Sequence, residues 1–236
     1  LFDKACNDRK YKINDMKHDF ENIWNNYNEE LFDTFLGNAS KKEQKLRMYN
    51  RAINSINTFY NVLSTLPPNP YTTEKQIIYS VGDNLPKISI TSDRTDLCNG
   101  EILMSDWKTG QVMIGQRLSN DLQAPLYIKA VENEYNLPVR KFTFYYLDEN
   151  KTRVFERTEK DDQFVCTVNK RKYYISPIDA VREVQHIFAQ IKKCNFNIPR
   201  NTKNMYFTCK TCYYKQQAIC QGAELECWKQ YNKEVK

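Results

Sequence analysis

Three side chains mark where chemistry could occur: Asp93, Asp106 and Lys108. They stand in Ile88-Ser-Ile-Thr-Ser-Asp93-Arg-Thr-Asp96 and, after a short turn, in Gly100-Glu-Ile-Leu-Met-Ser-Asp106-Trp-Lys108-Thr-Gly110. Alternate side chains of a strand share a face, so Met104, Asp106 and Lys108 point one way, with the last two about 6–7 Å apart. Asp93 ends the preceding strand, which a tight turn brings alongside. Two carboxylates and an ammonium on one surface suit metal-assisted phosphodiester hydrolysis. Hard oxygen ligands take Mg2+ or Mn2+, the metal polarises the phosphoryl group, and a lysine stabilises developing charge. Taken alone, Asp-x-Lys at a strand end is very common and reads first as a solvated ion pair.

A second chemistry lies in the cysteines. Of the eight, Cys209, Cys212, Cys220 and Cys227 fall in the last thirty residues. The Cys209-Lys-Thr-Cys212 pair presents two thiolates to one ion, as zinc or an iron–sulfur cluster requires. The set could close locally as C-x2-C-x7-C-x6-C or with a distant fourth ligand. Cys98, Cys166 and Cys194 read as buried small apolar residues.

The elements that would carry these groups follow from periodicity. Residues 12–65 read as helices, with Leu46, Tyr49, Ile53, Ile56, Tyr60 and Leu63 as one apolar stripe. An earlier helix carries Leu31, Phe32, Phe35 and Leu36. Leu66-Pro-Pro-Asn-Pro70 ends the helical region. Gln76–Val81, Pro86–Ser92 and Glu101–Lys108 read as a three-stranded meander. A helix follows from about Asn120 to Tyr135, then strands at Lys141–Leu147, Arg153–Arg157, Phe164–Val168 and Lys172–Ile175. Ser176-Pro-Ile-Asp179 opens a further helix, with Ser as N-cap and Pro in the first turn. This order implies an α/β domain with a mixed central sheet flanked by helices.

In that setting the motifs acquire a relative. A D-R-x-D strand, a strand ending Asp106-Trp-Lys108-Thr-Gly110, and a helix opened by Asp121-Leu-Gln123-Ala-Pro-Leu-Tyr127 together resemble the RecB-like branch of the PD-(D/E)XK nucleases. That branch includes the AddB nuclease and the CRISPR-associated adaptation exonucleases. The resemblance spans Cys6 to Cys220 and implies a restriction-endonuclease-like core within one nuclease domain, 1–236. A helical segment covers 1–70, the core 71–195 and a cysteine-rich tail 196–236. By the resemblance, Asp93 and Asp106 are metal-binding acids, Lys108 is the catalytic lysine, and Gln123 and Tyr127 act from one helix face. Gln123 has a structural alternative, as N3 of a capping box started by Asn120. His18 resembles the metal-ligating histidine that several members carry on an N-terminal helix. Glu74 sits where an acid often precedes the first strand. Arg94 could reach a phosphate or pair with Asp96.

Some members of the branch also hold a [4Fe–4S] cluster. By that likeness Cys6, in Cys6-Asn-Asp-Arg-Lys-Tyr11, is the leading ligand, and Cys209, Cys212 and Cys220 are the trailing three. Three departures stand out: seven residues between the last two cysteines where five are usual, Trp107 for the usual Tyr, and no Gly shortly before His18. Cys227 and zinc therefore stay open as alternatives.

Composition agrees with a globular chain. Its 236 residues correspond to one or two domains at about 150 residues each. Hydrophobic residues make up 41% and charged residues 27%, which excludes wholesale disorder and coiled coil. No apolar run approaches the roughly 18–20 residues of a membrane helix. The net charge of +6 is a mild bias toward polyanions, and 16 tyrosines could stack on unpaired bases. The resemblance thus leads to an expectation of a Mg2+- or Mn2+-dependent deoxyribonuclease acting on single-stranded DNA ends. It would be intracellular and open to a helicase or recombination partner. The alternative is a non-catalytic DNA- or protein-binding module with a structural zinc or iron–sulfur site.

Overall fold

The computed structural model describes residues 1–8, 10–26, 40–160 and 162–192. The expected helix around Leu31–Leu36, and Cys194, Cys209, Cys212, Cys220 and Cys227, lie outside the described residues. The chain falls into two compact units, Leu1–Gln185 and His186–Lys236. The sheet and the candidate site lie in the first. No described helix is long and apolar enough to cross a membrane.

Three helices come first: α1 (Phe2–Asn7), α2 (Ile13–Asn25) and α3 (Lys41–Thr65). Ser40 starts α3 by accepting a hydrogen bond from Glu43 N, while the Glu43 carboxylate accepts from Ser40 N. This reciprocal cap satisfies two otherwise orphaned donors. The buried side of α3 is Ile56, Phe59 and Leu63, and Leu46 is exposed. The expected stripe is thus right at its C-terminal half and wrong at its first residue. Leu46 precedes the stretch of α3 that supplies buried residues to the core.

Seven strands form one sheet in sequence order: β1 (Thr72–Ser80), β2 (Lys87–Cys98), β3 (Glu101–Lys108), β4 (Val139–Tyr146), β5 (Lys151–Arg157), β6 (Phe164–Val168) and β7 (Arg171–Ile175). All neighbouring pairs are antiparallel except β3 and β4, which run parallel. A parallel pair needs a crossover. Helix α4 (Gln123–Tyr135) supplies it and buries Ala124, Ile128 and Val131. The architecture is therefore a mixed sheet flanked by helices, as a restriction-endonuclease-like core requires. Helix α5 (Pro177–Lys192) begins with Ser176 Oγ accepting from Asp179 N, the cap expected from its sequence.

Sheet pleating sends neighbours to opposite sides. On one side Met104 and Asp106 of β3 lie level with Phe142 and Phe144 of β4, beneath α4. On the other side Trp107 and Tyr145 pack with Ala5, Cys6, Tyr11, Met16, Ile56 and Phe59 from α1–α3 and the α1–α2 turn. Phe59 stacks on Phe2 at 4.3 Å and meets Trp107 edge-on at 4.9 Å. Such pairs add about 0.5–1.5 kcal/mol each beyond area burial.

Candidate active site

β2 and β3 pair with Arg94 opposite Ser105. Continuing that antiparallel register sets Asp93 opposite Asp106, on the α4 side. Asp93 is fixed from below: its Oδ2 accepts from the backbone N–H of Trp107 at 2.7 Å. Asp106 is almost fully buried, and its Oδ2 lies 2.8 Å from Lys108 Nζ. Lys108 stands over the Phe144 ring, 5.2 Å from its centroid.

Gln123, the first residue of α4, joins these groups. Its Oε1 accepts from Lys108 Nζ at 2.8 Å, and its Nε2 donates to Asp106 Oδ1 at 3.0 Å. The side chain is engaged with the acid and the lysine, so the capping-box role is not what occupies it. Nor does Asn120 cap the helix. Asp121 does so, its Oδ2 accepting from Ala124 N at 2.8 Å. Asp is as good a cap as Asn, so the signal was present one residue further on. Tyr127, one turn along α4, is half-buried with its ring edge-on to Phe142.

The electrostatics follow from crowding acids in a poorly solvated place. Burial raises the Asp106 pKa to about 6, the Asp93 charge adds to the rise, and Lys108 opposes it. Burial also raises Asp93, against the Trp107 N–H and Lys108. Asp121 is raised by burial and held back by the backbone N–H groups of Ala124 and Gln123. Glu74 stands between the pairs Thr73–Arg94 and Lys75–Ser92, level with Asp93. Its φ of 46° is left-handed for a non-glycine residue. Burial and the Asp93 charge push its carboxyl up. Row by row, Glu74, Asp93 and Asp106 thus cross three strands.

Crowded carboxylates of this kind fit a divalent cation. Hard oxygen donors suit Mg2+ or Mn2+, which bind by one or two carboxylates plus substrate phosphate oxygens, and the cation would offset the burial that raises both acids and the Asp93 charge that adds to the rise at Asp106. His18 is not brought to them. It is exposed on α2, whose Met16 joins the core beneath the opposite side of the sheet. Among the described residues no three His, Cys, Asp or Glu side chains gather into a metal-holding group.

Arg94 does not reach toward the site either. It is fully buried on the α1–α3 side, where it pairs with Asp96 at 2.6 Å. Cys6 is buried there too, its thiol pushed up by burial and drawn down by Arg94. Cys166 is buried as expected. Cys98 is exposed, because it closes β2 at the Asn99-Gly100 turn, where φ is 52° and 80°.

A mixed sheet whose antiparallel β2–β3 pair carries two acids and a lysine, with a helix glutamine joining the second acid to the lysine, is the arrangement of a phosphodiester-cleaving nuclease. The sequence model of the PD-(D/E)XK nuclease superfamily matches residues 10–221, and the chain belongs to that superfamily. No curated protein matches it by sequence. Among solved structures, the crystal structure of a protein named SSO0001 is 19% identical, with 78% of this chain and 81% of that one covered and a TM-score of 0.37. That likeness is too slight to argue from.

Proposed function

We propose that the chain is a Mg2+- or Mn2+-dependent deoxyribonuclease that degrades single-stranded DNA from an end. The observation that carries this reading is Gln123, whose amide joins Lys108 to Asp106 and so ties the helix to the reactive strand. Asp93 and Asp106 would hold the metal, which supplies Lewis-acid stabilisation of the phosphoryl charge and a more acidic bound water. Lys108 places its ammonium beside the scissile phosphate and offsets the charge that develops there. Gln123 holds Lys108 in that position. Trp107 N–H keeps Asp93 turned into the site. Tyr127 offers an aromatic face one turn further along the helix, where an unpaired base can stack.

By the resemblance, Cys6 with Cys209, Cys212 and Cys220 would be the ligands of a cysteine-bound centre, iron–sulfur or zinc. In that reading the centre is structural and takes no part in hydrolysis. A helicase or recombination partner would deliver the DNA ends.

The test is end-labelled single-stranded DNA with Mn2+ or Mg2+, using parent protein beside Lys108→Ala. Parent cleavage should fall on the order of 10³-fold in the variant, the scale of losing one preorganised charge-stabilising group. Label on either end gives polarity. Equal cleavage by both would remove Lys108 from the reaction. No cleavage by folded, metal-loaded parent that still binds the DNA would favour the binding-module alternative.

A further inference from the structure

A second place for substrate lies beside the cleavage residues, within the same compact unit. The loop into α4, the end of β7 and the first turns of α5 enclose a cavity of about 530 Å³. That is within the roughly 300–1,000 Å³ of small-molecule sites. Leu122 and Pro125 give it an apolar wall. Leu122 directly precedes Gln123, whose amide joins Lys108 to Asp106, so this wall is one residue from the reactive groups.

The polar lining decides what the cavity can hold. No lysine or arginine contributes to it, while Asp121, Asp179 and Glu183 do. Such a lining repels a phosphate and accepts a neutral ligand. Asp121 is engaged by the α4 cap and Asp179 by Arg182, which leaves Glu183 as the free acceptor. The side-chain amides of Asn120 and Gln163 also line the cavity, and neither bonds another described residue. Each amide offers donors and an acceptor. Amides and carboxylates are the groups that read adenine and cytosine edges, the carboxylate by accepting from an exocyclic amino group.

The aromatic element is Tyr174, 45% exposed on the outermost strand β7. A ring placed this way offers a stacking face to any base. Lys172 shares that face of β7, about 6–7 Å along the strand. Lys170 and Arg171 are exposed beside it, at the two-residue turn where Asn169 and Lys170 take φ of 49° and 65°. The cations thus stand outside the cavity, placed for the phosphates of a strand whose base enters it.

We propose that this cavity is a nucleobase subsite. The base of an unpaired nucleotide near the cleaved bond stacks on Tyr174, while Asn120, Gln163 and Glu183 read its edge and Lys172 holds a flanking phosphate. Bases with an exocyclic amino group, adenine and cytosine, are favoured over thymine. The proposal deepens the nuclease reading above and rests on it for its substrate, unpaired DNA.

The test uses the full chain with short fluorescent oligo(dC) and oligo(dT). Binding is measured by anisotropy in EDTA, cleavage in Mn2+, and folding by circular dichroism. The parent should bind oligo(dC) about fivefold or more tighter than oligo(dT), the scale of one good base-edge contact. Tyr174→Ala should raise Kd and KM about tenfold on both, the scale of a lost stacking face, with kcat within twofold of the parent. Tyr174→Phe should bind like the parent. Asn120→Ala with Gln163→Ala should bring oligo(dC) to the oligo(dT) level. Ile78→Ala, at a side chain 56% exposed on β1, is the control and should change nothing. A single abasic residue moved along oligo(dC) should cost the parent, at one position, as much as Tyr174→Ala does, and should cost Tyr174→Ala nothing more there. That scan on the parent keeps the test if a variant fails to fold. Equal binding of oligo(dC) and oligo(dT) by the parent, or parent-like binding by Tyr174→Ala, overturns the subsite and leaves cleavage by Asp93, Asp106 and Lys108 standing. A parent that shows these preferences without cutting keeps the subsite and removes the nuclease. A parent that neither binds nor cuts unpaired DNA overturns both.

Discussion

Asp93 and Arg94 are neighbours in the chain and live on opposite sides of one sheet. The α4 side gathers Asp93, Asp106 and Lys108 under a helix and leaves the acids strained: burial lifts Asp106 to about 6 and raises Asp93 as well. The α1–α3 side buries a charge just as deeply but pairs it with an opposite one, with Arg94 making four hydrogen bonds to Asp96 and Pro67. One side keeps unfavourable electrostatics where a divalent cation can relieve them. The other holds a neutral ion pair that ties β2 to the Pro67 carbonyl just after α3. Charge burial therefore means opposite things one residue apart, and single substitutions should separate the two.

The largest effect belongs to the paired side. Arg94→Ala leaves Asp96 buried without its partner, and breaking a buried pair this way costs about 3–5 kcal/mol. Arg94→Met with Asp96→Leu should recover most of that in a denaturant melt, because replacing the whole pair by apolar groups is close to neutral. If the single variant unfolds no more easily than the double, the pair is not what stabilises this side.

On the strained side the sign reverses. A folded Asp106 near 6 holds a proton that the unfolded chain, near 3.8, has already released. Stability of the metal-free protein then falls as pH rises through that window, by roughly 3 kcal/mol for about two units. Asp106→Asn should abolish cleavage yet be the more stable protein at pH 8 in EDTA, with the advantage gone by pH 4. Parallel pH–stability curves for parent and variant would show that Asp106 is not strained.

How much of this was legible in the sequence differs between the sides. β3 and β6 have the bounds that alternation predicts, and Asp106 with Lys108 share a face as period two requires. The D-R-x-D strand is longer than its alternation suggests, Lys87–Cys98 against an expected Pro86–Ser92. The apolar alternation that marks the strand over Pro86–Ser92 stops at Asp93, but Thr95, Asp96 and Leu97 continue β2 by pairing with Met104, Leu103 and Ile102, and Thr95 and Asp96 are buried. A sequence shows that Asp96 is polar and not that Arg94 awaits it. The same limit hid the fate of His18, since helical order does not say beneath which side of a later sheet a helix will pack. Asp121 was missed for a smaller reason: Asn120 and Asp121 are equally good caps, and only the register of the last 3-10 turn, Gly115–Arg117, and the loop after it decides between them.

Asp121 offers a milder test of how the strained side is held. Its carboxylate accepts from Ala124 N and Gln123 N, fixing the helix start from which Gln123 reaches Lys108 and Asp106. Asp121→Ala should lower turnover roughly five- to tenfold, the scale of the ~1 kcal/mol a lost cap costs, while Asp121→Asn keeps the cap and most of the activity. In a Gln123→Ala background the Asp121→Ala loss should disappear, since two residues acting as one unit are not additive. Full additivity would mean that Asp121 acts on the acids directly and not through Gln123.

The smallest effect is at Glu74, where the two costs meet in one residue. A left-handed φ of 46° in a strand costs a non-glycine residue about 1–2 kcal/mol, and nothing in the β1–β2 pairing requires it, because the pairs on either side keep one register. What the conformation achieves is to set a carboxylate level with Asp93, whose charge it feels. Glu74→Gly removes the strain and loses some backbone entropy, for a net gain of about 1 kcal/mol, or roughly 2–4 °C in Tm for a unit of this size. If the strain is kept for cleavage, that variant should melt higher and cut more slowly, and Glu74→Gln, which keeps the backbone, should cut more slowly without melting higher. A glycine variant that gains stability at full activity would place the edge of the site at Asp93 and leave the left-handed residue without a catalytic reason.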